Sequence, residues 1–229
     1  MEKNLLKKFI PSYIGTGPVL FGYSVLAMMP GKVPGFISRD HLKRNTEVWK
    51  ALSPGEGEYI ENQHELSKMC FGTAPKSDIA YSGCEVIGVY NLLLSLGERP
   101  SFPELIYDFE RDGIALKGGF GVSPRAMYSY LKRKYPGAEV FTPSIFEKED
   151  ALAEKLQDFQ NRHRAFLITV FNDKENIMSM VHTMCVEKRE EKYVLHNKGN
   201  GTESPLYESL FRAVKNSAKN PRLLQIIGI

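Results

Sequence analysis

The spacing of apolar positions changes character once along this chain. Up to about residue 164 they recur with helical period, and beyond it they alternate or run together as strands do. Residues 1–76 form a loop-rich lead-in, dense in Gly and Pro, with one short helix expected near Asp40–Leu52. The run CEVIGVYNLLLSL predicts a helix over 83–96, stopped by Gly97. Its stretch Val86–Leu96 carries no charge, which predicts a helix enclosed between two layers. Further helices are expected at Pro103–Asp112, with Pro in the first turn, and from Pro124, capped by Ser123 and ended by Gly137. Glu149–Arg162 carries the stripe Leu152, Leu156 and Phe159. Then AFLITVF (165–171), MVHTMCVEK (180–188), KYVLHN (192–197) and LLQIIGI (223–229) all read as strands. Helices first and strands later predict an α+β fold, the sheet segregated from the helices, in one domain spanning 1–229. Within it, 77–163 is mainly helical and 164–229 mainly β.

Composition narrows the classes. At 42% hydrophobic and 25% charged the chain is that of an ordinary globular protein. A net charge of +3, with no dense basic stripe, gives no reason to expect a nucleic-acid partner. Phe9–Gly31 is uncharged and long enough to span a bilayer, but Pro11, Pro18, Pro30 and four glycines dilute it. It predicts an irregular arm packed on the domain, with neither a membrane helix nor a signal peptide, and a cytoplasmic location. The three cysteines, Cys70, Cys84 and Cys185, cannot all pair and lack the close spacing of a zinc site. No metal, nucleotide or redox cofactor is expected. GGFG at 118–121 lacks a preceding strand and reads as a turn that could line a substrate groove.

Candidate chemistry begins at Cys84, in the sequence SDIAYSGCEVIGVYNLLLSLG. Ser82 and Glu85 have the spacing of a capping box, which would place Cys84 in the first turn of its helix. Unsatisfied N–H groups and the positive end of the helix dipole favour a thiolate there, below the ordinary thiol pKa of about 8.5. A cysteine nucleophile needs a base, commonly His, and that His needs a group to fix its ring. Of five histidines, His41, His64 and His163 lie in polar surroundings, and only His182 and His196 fall on expected strands. With KREEK as a hairpin turn centred on Arg189–Glu190, His182 stands directly opposite Asn197. His196 then points to the other face.

A Cys opening a buried central helix, a His on a later strand and an Asn 15 residues beyond resemble the papain-like cysteine peptidases. The pieces carrying the likeness are SDIAYSGCEVIGVYNLLLSLG, GVSPRAMYSYLK, VHTMCVEK and YVLHNKGNG, within about residues 77–199. The GVSP helix and short hairpin are more similar to compact bacterial branches such as the double-glycine leader (bacteriocin-processing) peptidases. The resemblance implies a papain-like fold, a helical layer with the Cys-bearing helix packed on an antiparallel sheet. It implies Cys84 as nucleophile, His182 as general base and acid, Asn197 as orienting residue, and a peptide or amide substrate. It departs at the oxyanion position six residues before the cysteine, where the family carries Gln and this chain has Asp78. An ionised Asp accepts hydrogen bonds and cannot donate one to an oxyanion. Two other readings share these residues: an acyltransferase using the same acyl-thioester, and a peptide-binding module without turnover.

Overall fold

In the computed structural model, residues 31–52, 57–144, 147–174, 181–198 and 203–229 are described. Helices α1 (Gly35–Leu52), α2 (Ile79–Ser82), α3 (Cys84–Ser95), α4 (Phe102–Asp112) and α5 (Pro124–Lys134) precede the short strand β1 (Glu139–Phe141). Helix α6 (Glu149–Arg162) leads into β2 (Ala165–Phe171), β3 (Val181–Arg189) and β4 (Lys192–His196). Helix α7 (Leu210–Lys215) and β5 (Arg222–Gly228) complete the chain. The sheet is antiparallel throughout, in the order β1-β5-β2-β3-β4. The expected α+β class holds.

Strand β2 explains how the layers form. All seven of its residues are buried, so both faces of the sheet are covered. Ala165 and Leu167 join Cys185, Ile227 and the residues of α3 in one apolar cluster. Phe166, Ile168 and Val170 join Met184, Val186, Leu156 of α6 and Leu210 of α7 in another. The period of two therefore deals successive side chains to different cores. A helix wedged against the first face has no polar side to present, which is why Val86–Leu93 is buried without a break. Gly88 lets α3 lie close: a Cβ there would come within 2.7 Å of Leu167 Cδ1 and 3.2 Å of Thr183 Cγ2. On its other side Tyr90 packs edge-on against Trp49 of α1 and Phe102 of α4.

Other expectations differ in detail. Helix α1 starts at Gly35, ahead of Asp40, because Pro34 supplies the carbonyl that opens it. The short elements α2, β1 and α7 carry too few residues for a readable period. The expected N-terminal arm lies outside the described residues except for Gly31, which pairs with Ile114. No described helix is long and apolar enough to cross a membrane.

Candidate active site

Cys84 is the first residue of α3, one position earlier than a capping box requires. Ser82 is instead the last residue of α2, and its hydroxyl donates to the Asp78 carbonyl (3.3 Å). Gly83 both ends α2 and caps α3, and a Cβ there would lie 2.7 Å from Ile79 O. Only glycine fits so tight a junction between two helices. The thiol is enclosed at that corner. The main-chain N–H of Thr183 on β3 lies near the thiol and favours its anion, so α3 and the sheet come together at this corner. Burial and the neighbouring Glu85 carboxylate push the thiol well above its ordinary value. This reverses the expectation of a ready-made thiolate. The helix-start N–H groups favour the anion, but desolvation of the sulfur outweighs them.

The hairpin register also differs from the expected one. The turn centres on Glu190–Glu191, with Glu190 at φ 55°, so Cys185, and not His182, opposes a β4 residue, His196. Asn197 nevertheless reaches His182. It leaves the strand at φ 63°, in the left-handed region that Asn tolerates better than most residues, and this swings its main-chain carbonyl onto the ring. His182 Nε2 lies 2.7 Å from Asn197 O. A carbonyl only accepts, so Nε2 carries the hydrogen and the neutral ring's lone pair sits on Nδ1. Burial lowers the His182 pKa, partly offset by that hydrogen bond. Orientation of the ring is thus a main-chain task, and the Asn197 side chain has another: its Nδ2 donates to Gln63 Oε1 at 3.4 Å.

One cleft of about 670 Å³ is lined by Cys84 and His182, with Gln63, His64 and Tyr81 from the lead-in and α2, and Lys198 beyond β4. By the alternation of β3, Thr183 and Cys185 face α3 and His182 takes the alternate side. The cleft reaches both because it lies across the start of the strand. Asp78 does not join them. Its carboxylate caps α2, accepting from Tyr81 N at 2.8 Å, and so supports the turn before Cys84 from a distance. Gln63 brings an amide to the cleft, whose lining also includes Asn172 and Asn216. Its Nε2 donates to Ala80 O (2.8 Å), which leaves one amide hydrogen for another acceptor.

Gln63 arrives by a route that no local pattern announces. Asn91, buried in α3, exchanges two 2.9 Å hydrogen bonds with the main chain of Ile60. Glu61 then receives Asn197 N at 2.9 Å and holds His196 Nδ1 at 2.5 Å. A polar residue inside an otherwise apolar helix was the one available signal, and it marks the strut that carries residues 59–63 to the site. GGFG is a turn as expected, and Gly119, Phe120 and Gly121 line a small recess against Cys84 and Glu85. All three cysteines are free, Cys84 and Cys185 buried. Among the described residues no cluster of His, Cys, Asp or Glu has the arrangement of a metal site. No family model, curated protein or solved structure matches the chain.

Proposed function

We propose that the protein is a thiol-dependent peptidase or amidase of papain-like design, with Cys84 as nucleophile and His182 as general base and acid. The observation that carries this reading is the pairing in one cleft of a helix-start thiol with a histidine whose Nε2–H is fixed, so that Nδ1 is the basic atom. Because burial disfavours both the thiolate and the imidazolium, the pair rests as a neutral thiol and a neutral imidazole while the neighbouring Glu85 carboxyl is ionised. The proton leaves sulfur for His182 as Sγ bonds to the substrate carbonyl carbon, and the imidazolium returns it to the departing amine. Water then hydrolyses the acyl-thioester. Gln63 supplies the amide donor for the oxyanion in place of a residue six positions before the cysteine. Loss of one such donor costs about 2.7–4 kcal/mol of transition-state stabilisation.

The test is cleavage of a quenched fluorescent peptide library. Cleavage by wild type that is abolished in Cys84→Ala and reduced by about a hundredfold or more in Gln63→Ala supports the reading. Cleavage that persists in Cys84→Ala refutes it. The raised thiol favours one alternative, a peptide-binding module without turnover, for which wild type and Cys84→Ala would bind peptides alike and cleave none.

A further inference from the structure

Beside the nucleophile stands a second acid. Glu85 follows Cys84 on the first turn of α3, and the two side chains line one small recess, the carboxyl beside the thiol. The main-chain N–H of Val122 favours the ionised form of the same carboxyl, which lies against the end of the GGFG loop. Gly121, at φ 70°, leaves the space the carboxyl occupies, since any side chain there would collide with Oε2. Oε2 itself is enclosed without a hydrogen-bond partner among the described residues. Among the described residues no cation pairs with this carboxyl. The recess around it is lined by Cys84, Tyr81, Ser82, Val181 and the glycine turn, with His182 and His64 beyond in the adjoining cleft. A carboxylate enclosed beside a buried sulfur, with no cation among the described residues to pair with it, is a costly arrangement unless it acts on that sulfur.

We propose that Glu85 is a positioning residue that sets the ionisation of the Cys84 nucleophile. As a carboxylate it accepts the S–H hydrogen and holds the thiol neutral. As a carboxylic acid it reverses the bond, donating O–H to the thiolate while the thiol's own proton resides on His182. Each form is balanced: the acid form carries one proton more, taken from solvent. Enclosure raises the Glu85 carboxyl to about 7, so the exchange between the two forms falls near neutral pH. The sulfur and the carboxyl titrate as a coupled pair. The inference rests on Cys84 being the nucleophile and adds to that reading the group that governs it.

The experiment is the rate of Cys84 alkylation by iodoacetamide from pH 5.5 to 9.5 in wild type, Glu85→Gln and His182→Ala, with Cys84→Ala as the blank. At about pH 8 Glu85→Gln should react about tenfold faster than wild type, one pKa unit of relief at sulfur. At about pH 5.5, where wild-type Glu85 is itself protonated, that advantage should shrink to within about twofold. Equal rates at pH 8, or an advantage independent of pH, would overturn the proposal. The catalytic reading fails separately: His182→Ala alkylating as wild type does would remove the base while leaving the Glu85 effect in place. Should Glu85→Gln not fold, Glu85→Asp draws the carboxyl back from sulfur, and an acceleration at pH 8 is again expected; its absence would count against the proposal equally.

Discussion

Two histidines on neighbouring strands of one sheet hold opposite states. His182, on β3, has its Nε2–H on a main-chain carbonyl, and burial lowers its pKa. His196, on β4, is clasped by carboxylates at both ring nitrogens, Glu61 at 2.5 Å and Glu187 at 3.0 Å, which raise its pKa. Tyr59 stacks flat on its ring at 3.7 Å, and Arg189 extends the ion-pair network through Glu187 to Glu203. A neutral ring at the cleft can take a proton, whereas an imidazolium between two carboxylates has none to take. The environment, more than the residue type, separates the proposed base from a structural cation. The two are also joined: Glu61, which grips His196, receives the N–H of Asn197, whose carbonyl holds His182. The fixed cation anchors the segment that aims the neutral ring.

The comparison can be broken most sharply by removing each ring in turn. His182→Ala should lower peptide cleavage by about a hundredfold or more. Its stability should fall by only about 1 kcal/mol, the worth of one hydrogen bond, read from chemical denaturation. His196→Ala should do the reverse, destabilising the fold by about 2 kcal/mol, because Glu61 and Glu187, both partly buried, lose the ring between them and only Glu187 keeps a cation, Arg189.

The pH dependence of that second loss sharpens the contrast. The folded pKa of His196 lies above its ordinary 6.5, so its contribution is full below 6.5 and fades as pH rises through the raised value. Glu187 lies below its ordinary 4.5, so its contribution is present above 4.5 and fades as pH falls through the lowered value. The stability gap between wild type and His196→Ala should therefore be widest at about pH 5–6 and narrow on the alkaline side. A gap that widens with rising pH would show that the ring is neutral.

The smallest expected effect is at Asn197. The contact with His182 is made by main chain, so Asn197→Ala keeps that acceptor; it strains the left-handed backbone, a cost of about 1 kcal/mol, and releases the Nδ2 bond to Gln63. Asn197→Gly removes the strain and should hold His182 as well as wild type does, so kcat should fall only by the few-fold that the loosened Gln63 costs. A large kcat loss in the glycine variant would assign the orienting role to the side chain.

Much of this was legible in the residues. Helix α6 and strand β2 fall where period and breakers put them, and α3 was marked as enclosed by the absence of charge from Val86 to Leu96. The cysteine and histidine were marked by residue type in unexpected surroundings. What escaped depended on turns and long-range bonds. KREEK has no Asn-Gly or Asp-Gly to fix its centre, and the turn settled on Glu190–Glu191, moving His182 out of the ladder with β4. The capping pattern Ser82-Gly83-Cys84-Glu85 was overridden because Ser82 already belonged to α2. Gln63 and Glu61 reach the site through the Asn91–Ile60 strut, a link across 31 positions with no local signature.

The central claim, that the Cys84 sulfur accepts an acyl group with His182 taking its proton, is tested most directly by acid-quenched intact-mass measurement after brief exposure to an activated peptide ester. Wild type should carry one acyl adduct, mapped to Cys84, and His182→Ala should form it about a hundredfold more slowly. No adduct on Cys84, or equal rates in the two proteins, would contradict it.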